Sequence, residues 1–235
     1  MARTEILTVA GNAMEVYVDE PAGAGPHPAM VVAHHRGALD AFTMKFVEDL
    51  AAAGYAAAAP ALYHRRPAGE DTAESLKNLD DAEIVADLTA TAAYLSDLAS
   101  VRSDRIGIVG HCMGGRVSFL GAASISSLAA CAIFYGGNTM KVWGAGNPPP
   151  IELSGNIKCP VIGFFGNDDQ NPSPADVARI DEEFTKHGIK HTFHAYDDTG
   201  HAFQNFMNDA SYREASTKDA QEKLLTFLAE TLKPA

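Results

Sequence analysis

The stretch of sequence that decides the fold is GHCMG, residues 110–114, a G-x-C-x-G pentapeptide. It lies between an apolar run, residues 105–109, and a segment with the apolar spacing of a helix, residues 116–123. A nucleophile carried on a tight turn between a strand and a helix needs flanking glycines, because a Cβ atom at either position would clash in the turn. We therefore predict that Cys112 is presented as a nucleophile at the carboxyl end of a sheet.

A different interpretation of the same pentapeptide is a small buried cysteine in a glycine-rich turn. The chain has three cysteines, Cys112, Cys131 and Cys159, an odd number without paired spacing, which favours reduced thiols over a disulfide framework. Cys131 lies in an apolar run and Cys159 directly precedes Pro160, so we expect both to fill core or loop positions.

Short apolar runs alternate with helical patterns on both sides of the pentapeptide. This alternation is typical of an α/β fold, in which helices cover both faces of a mostly parallel sheet. Residues 6–9 and 14–18 flank a Gly-Asn pair and predict an antiparallel hairpin at the sheet edge. We expect one domain over residues 1–235. The other predicted strands are residues 29–33, 56–59, 105–109, 130–135, 161–166 and 191–196; the predicted helices are residues 42–53, 82–98, 116–123, 174–187 and 215–232; the predicted irregular loops are residues 64–81 and 138–154.

The chain carries a net charge of −12 with its acidic residues spread along the sequence. This balance argues against nucleic acid and against an anionic membrane as partners. No stretch approaches 18 uncharged apolar residues, and the first residues lack the basic start and apolar core of a signal peptide. We expect a cytoplasmic protein, a monomer or homodimer, whose partner is a small molecule.

A thiol nucleophile needs a base, and that base needs an acid to orient it. His201 follows the last predicted strand, and Asp168 and Asp169 follow the strand before it. Because the carboxyl ends of parallel strands meet at one edge of a sheet, we expect these side chains to lie near Cys112. We predict His201 as the base. Asp169 is preferred as the acid because it falls three residues after Gly166, and Asp168 remains the alternative.

With these residues in place, the chain resembles the dienelactone hydrolase family of α/β-hydrolases over nearly its whole length. The resemblance implies an α/β-hydrolase fold, a catalytic triad of Cys112, Asp169 and His201, and hydrolysis of a small ester or lactone through an acyl-thioenzyme. It also implies an oxyanion hole built from the backbone N–H groups of Met113 and Arg36. The motifs that carry it are MVVA (30–33), GY (54–55), PALY (60–63), GHCMGG (110–115) and GHAF (200–203).

The chain departs from the family pattern in two places. Where well-known members have a glutamate that helps to activate the thiol, this sequence has His35, and a histidine and an arginine there would favour the thiolate by their charge. The family's two substrate-binding arginines correspond to Arg65 and to Asn205, so only the first is kept. We assign substrate binding to His35 and Arg65 and expect a small, possibly anionic substrate. A surface salt bridge is the alternative role for Arg65 and for Arg36.

Adjacent histidines at His34 and His35 raise the alternative of a metal site. Neighbouring residues at a strand end point in opposite directions, and no third ligand is spaced to join them, so we predict neither metal nor cofactor. Three aromatic residues, Tyr135, Trp143 and Phe203, are candidates for the pocket lining or for plain packing.

Two other functions fit the same scaffold. The missing glutamate favours a binding or redox-sensing protein with a reactive Cys112, whereas the presence of His201 and Asp169 argues for turnover. A thioesterase or a C–C bond hydrolase is the third possibility, which only substrate profiling would separate from an ester hydrolase.

Overall fold

The computed structural model describes residues 1–146 and 148–233. Its strands are β1 (Arg3–Val9), β2 (Asn12–Asp19), β3 (His27–Ala33), β4 (Ala56–Pro60), β5 (Val101–His111), β6 (Ala130–Phe134), β7 (Val161–Gly166) and β8 (His191–Tyr196). All eight belong to one sheet, in the spatial order β1-β2-β4-β3-β5-β6-β7-β8. Every predicted strand is therefore present, and β5 extends beyond its predicted bounds at both ends.

The antiparallel part of the sheet is confined to one edge. β1 pairs with β2, and β2 with β4, in antiparallel register, whereas the other neighbouring strands are parallel. Ala10 and Gly11 join β1 to β2 with φ values of 49° and 80°, the left-handed backbone that two-residue hairpin turns use. The predicted hairpin at the sheet edge is confirmed.

Helices fill the connections between the parallel strands. They are α1 (Ala41–Ala52), α2 (Thr72–Lys77), α3 (Asp81–Asp97), α4 (Met113–Ser124), α5 (Pro174–Lys186) and α6 (Glu214–Leu232), with a 3₁₀ helix at Pro150–Asn156. The predicted helices agree with these bounds to one residue, except that α4 begins at Met113 and not at residue 116. None of the described helices is both long enough and apolar enough to cross a membrane.

Two segments predicted as irregular loops contain short helices. Helix α2 lies within residues 64–81, where the Asp71 carboxylate caps it by accepting the Ala73 N–H at 2.8 Å. The 3₁₀ helix begins within residues 138–154, a segment that includes Asn147, outside the described residues, and ends two residues after it, at Asn156. Helices of six or seven residues are too short to show an apolar stripe, so the sequence pattern does not reveal them.

Two apolar clusters lie on the opposite faces of the sheet. Successive residues of β3 contribute to different clusters, since Val31 belongs to one and Met30 and Val32 to the other, as the two-residue period of a strand requires. Helices α3, α4 and α5 pack on the first cluster, and α1 and α6 on the second. Cys112 contacts both clusters, which places it at the sheet edge between the two helical layers.

Candidate active site

The GHCMG pentapeptide forms the turn between β5 and α4. Cys112 has φ of 57° and ψ of −117°, a left-handed conformation that costs a non-glycine residue about 1–3 kcal/mol. A Cβ atom at Gly110 would lie 2.2 Å from the backbone oxygen of Gly114, and one at Gly114 would lie 2.0 Å from that of Ala33. Both glycines are therefore needed for the turn to approach β3.

Gly114→Ala should lower the free energy of unfolding by about 3 kcal/mol, because its Cβ meets backbone that cannot move aside. Gly121→Ala in the same helix is the matched control. Its Cβ would contact only the side-chain ends of Ile108 and Leu88, and alanine favours the helix by about 1 kcal/mol. Urea denaturation of both variants measures the difference; equal stabilities would show that the turn tolerates a side chain at Gly114.

The structure brings His201, Asp169 and Cys112 together at the carboxyl edge of the sheet. Nδ1 of His201 lies 2.7 Å from Oδ2 of Asp169, and the His201 ring lies close enough to the Cys112 sulfur for each group to shift the pKa of the other. Asp169 is 3% exposed, and its other carboxylate oxygen accepts the Asn171 N–H at 2.8 Å. Asp168 is exposed to solvent, so of the two candidate acids only Asp169 contacts the histidine.

This arrangement favours an ion pair between a Cys112 thiolate and a His201 imidazolium. Burial disfavours the thiolate, but the hydrogen bond and charge of His201, with the N–H groups of Met113 and Arg36, outweigh burial and lower the pKa of Cys112. For His201, burial alone would lower the pKa, and the contacts with Asp169 and Cys112 raise it to about 10. Both pKa shifts favour the charged pair over the neutral one.

Alkylation of Cys112 by iodoacetamide should therefore stay fast well below the ordinary thiol pKa and fall only as pH drops through the lowered pKa. His201→Gln removes the imidazolium and should move the midpoint up by roughly one to three pH units. Burial raises the pKa of Cys131 and Cys159, so Cys112→Ser should abolish labelling. A wild-type midpoint at or above the ordinary thiol pKa would contradict the ion pair.

The two N–H groups predicted for the oxyanion hole both face the nucleophile. The backbone N–H groups of Met113 and Arg36 lie close enough to the Cys112 sulfur to lower its pKa. Met113 is the first residue of α4, and Arg36 follows the end of β3. Two N–H donors that converge from separate loops can stabilise an oxyanion that forms on a carbonyl attacked by the sulfur.

His35, which stands at the position of the family glutamate, lines the site and pairs with Asp40. Its Nε2 lies 2.7 Å from Oδ2 of Asp40. Burial opposes ionisation of Asp40, but the contact with His35 and the Thr43 N–H outweigh it and lower the pKa of Asp40. A Cβ at Gly37 would lie within 2.7 Å of both partners, so a glycine is required beside this pair.

Both ring nitrogens of His34 are used within the protein. Nδ1 contacts the His35 backbone oxygen at 2.6 Å, and Nε2 accepts the Leu62 N–H at 3.1 Å. Burial lowers the pKa of His34 to about 4, which keeps the ring neutral. Among the described residues, no three His, Cys, Asp or Glu side chains are grouped as a metal site.

Arg65, which the sequence analysis assigns to substrate binding, lies in an ion pair beside the helix α3. Its guanidinium donates to both carboxylate oxygens of Asp87, at 2.7 and 2.8 Å, and Asp87 is 1% exposed and also contacts His64. Arg65 does not line the cavity. The guanidinium that was expected to bind substrate is paired with a buried carboxylate on α3.

A cavity of about 690 Å³ opens above Cys112. Tyr135 and Trp143 line it, as does Asn205, whereas Phe203 is fully buried in the core. Five other amide or hydroxyl side chains of the lining were not predicted, because single polar residues in loops carry no pattern that marks them. These are Thr72, Asn138, Asn171, Asn208 and Ser211.

Known proteins that resemble this chain share one family description. The model of the dienelactone hydrolase family matches residues 14–232. A Synechocystis sp. protein named as a carboxymethylenebutenolidase is 31% identical, with 98% of each chain covered. A Klebsiella pneumoniae crystal structure named as a dienelactone hydrolase superimposes with a TM-score of 0.87 at 27% identity, covering 97% of this chain and 98% of that one. The predicted α/β-hydrolase fold is confirmed.

Proposed function

The chain belongs to the dienelactone hydrolase family, and from this premise we propose that it hydrolyses a small carboxylic ester or lactone through an acyl-thioenzyme on Cys112. The observation that carries the proposal is the chain of contacts from Asp169 through His201 to the sulfur of Cys112. A buried carboxylate that orients a histidine against a nucleophile is the arrangement used for acyl transfer.

In the proposed reaction, the Cys112 thiolate attacks the substrate carbonyl, and the N–H groups of Met113 and Arg36 hold the oxyanion. The carbon–oxygen bond then breaks, and the His201 imidazolium gives its proton to the departing oxygen. Neutral His201 next takes a proton from water, whose oxygen attacks the thioester. The carbon–sulfur bond breaks, the acid leaves, and the thiolate–imidazolium pair is restored.

Activation of Cys112 does not need the family glutamate in this scheme. His201 already favours the thiolate, so no carboxylate is required to remove a proton from the resting thiol. His35 is held by Asp40 and borders the cavity, where we propose that it contacts the bound substrate.

The proposed substrate is neutral or carries a single negative charge. Among the described residues, no Asp, Glu or Lys borders the cavity, although the whole chain carries a charge of −12. Arg36 contributes a permanent positive charge to this lining. With Arg65 bound to Asp87, the cavity does not offer the pair of arginines that would favour a dianion.

We also propose a cytoplasmic location. The three cysteines are free thiols, and at least Cys112 must stay reduced for the proposed reaction, which the reducing conditions of that compartment maintain.

A panel of p-nitrophenyl esters and small lactones, with intact-mass detection of an acyl adduct on Cys112, tests the proposal. We expect turnover of at least one short-chain ester and an adduct of the acyl mass. Rapid iodoacetamide labelling without turnover of any ester or lactone would favour the redox-sensing alternative. Turnover of thioesters or C–C substrates alone would assign the third possibility.

A further inference from the structure

A fully buried arginine lies one turn into the helix that begins at the nucleophile. Arg116 is 0% exposed and donates to both carboxylate oxygens of Asp81, at 2.6 and 3.0 Å. Asp81 is the first residue of α3 and is itself 1% exposed. A buried pair of this kind adds little to stability because desolvation is costly, so its retention points to a positioning role.

The pair holds a stretch of chain that borders the cavity, residues 138–143, which we call the wall segment. Arg116 donates to the backbone oxygens of Asn138 at 3.2 Å and Lys141 at 2.6 Å. Its guanidinium carbon lies 3.7 Å from the centre of the Trp143 ring, within the range of a cation–π contact. One buried side chain therefore contacts the wall segment at its start, middle and end.

Asp81 fixes the backbone of Trp143 from the other side. Its Oδ2 accepts the Trp143 N–H at 3.0 Å, and its own N–H donates to the Trp143 carbonyl at 3.0 Å. The next residue, Gly144, has φ of 77°, and a Cβ there would lie 1.8 Å from Oδ2 of Asp80. The backbone at Gly144 thus packs directly on Asp80, just before α3, and cannot move closer to that helix.

The same arginine is connected to the nucleophile. The Arg116 backbone N–H donates to the Cys112 carbonyl at 3.3 Å, and both Trp143 and Cys112 border the cavity. The position of the Trp143 ring is therefore set relative to Cys112 through a single residue that is excluded from solvent.

We propose that Trp143 is a specificity-determining residue that limits the size of the apolar group next to the reacting carbonyl, and that Arg116 and Asp81 are its positioning pair. This proposal rests on the proposed hydrolase function. It narrows the substrate class to esters or lactones with a small acyl group, because an indole that stacks on a buried guanidinium, on a backbone bonded to Asp81, cannot yield to a longer chain.

The specificity part is tested with p-nitrophenyl acetate and p-nitrophenyl hexanoate. Trp143→Ala should raise the ratio of kcat/KM for hexanoate over acetate at least about tenfold. The double variant Arg116→Met with Asp81→Leu removes both charges together, so that neither is left buried and unpaired, and it should raise the ratio at least about threefold. Adding Trp143→Ala to that double variant should raise the hexanoate-to-acetate ratio no further than Trp143→Ala alone does, because the Arg116–Asp81 pair acts through the Trp143 ring.

The pair Arg65–Asp87 supplies a matched control. It has the same two-bond geometry and comparable burial, but it makes no contact with the wall segment among the described residues. The double variant Arg65→Met with Asp87→Leu should leave the hexanoate-to-acetate ratio within about twofold of the wild-type ratio. A change as large as that of the Arg116–Asp81 variant would overturn the proposal, since general destabilisation would then explain both.

A second readout does not depend on turnover, because Trp143 is the only tryptophan of the chain. Acrylamide quenching of its fluorescence should increase at least about twofold in the Arg116–Asp81 variant and stay unchanged in the Arg65–Asp87 variant. Unchanged quenching in the first variant would overturn the positioning part. An unchanged ester ratio in Trp143→Ala would overturn the specificity part.

If the wild-type protein hydrolyses neither ester, the proposed function fails and the specificity part fails with it. Quenching then still decides whether Arg116 and Asp81 position the ring. The two failures are therefore distinguishable.

Discussion

Cys112→Ala should lower kcat/KM for p-nitrophenyl acetate by at least about 10⁴-fold, because the variant loses the sulfur that His201 contacts and that forms the proposed acyl intermediate. The other two cysteines are buried and their pKa values are raised, so neither can replace it. The expected result is a rate close to that of the ester in buffer, together with the absence of an acyl adduct by intact mass.

The fold should survive this substitution. Alanine is smaller than cysteine, and Cys112 keeps its turn through its N–H bond to the Phe134 carbonyl at 3.0 Å, which any residue can make. Urea denaturation checks this, and Cys159→Ala is the control that removes a buried thiol elsewhere without loss of turnover. Hydrolysis at the wild-type rate by Cys112→Ala would eliminate the acyl-thioenzyme.

The centre of the sheet could be predicted from the sequence because its strands are buried on both faces and leave unbroken apolar runs. Residues 130–134 and 161–166 are buried throughout, and the sequence pattern marks such runs directly. The start of α4 could not be predicted in this way. Gly114 and Gly115 have poor helix propensity, yet the turn at Cys112 requires the helix to begin at Met113.

Residues of the candidate site could be predicted where the order of the strands and the geometry of a parallel sheet determine their position. Cys112, Asp169 and His201 each follow a parallel strand, so one sheet edge collects them. The position of Arg65 could not be predicted from chain order. Its partner Asp87 lies on a helix 22 residues away, and the local sequence gives no sign of the pair. The assignment of one domain to residues 1–235 stays a prediction, as do the catalytic roles.

Loop-borne parts of the cavity were the least predictable. Trp143 is a lone aromatic residue in an irregular segment, and its position depends on Arg116, which the sequence presents only as part of a helix. The two residues lie in a helix and in an irregular segment. Paired strands have a regular register that relates their residues, but a helix and an irregular segment have none, so this contact cannot be deduced from the sequence. Such contacts follow from tertiary packing and become visible only in the structure.

Asp169→Asn should lower kcat/KM by roughly 10²–10⁴-fold while leaving the cavity intact. The amide keeps the shape of the carboxylate but not its charge, so the His201 imidazolium loses the partner 2.7 Å from Nδ1. The pKa of His201 should then fall, and with a weaker imidazolium beside it the pKa of Cys112 should rise. Ester turnover and the pH midpoint of iodoacetamide labelling measure the two effects.

Asp168→Asn is the matched control, because it removes the same charge one residue away. Asp168 is exposed, and the bond from its backbone N–H to the Thr199 carbonyl at 2.9 Å does not depend on its side chain. Its turnover and labelling midpoint should stay within about twofold and 0.3 pH units of the wild-type values, as expected for a solvated carboxylate. If Asp168→Asn impaired turnover and Asp169→Asn did not, the orienting acid would be Asp168. Equal losses in both would mean that net charge near the cavity matters more than the single contact to Nδ1.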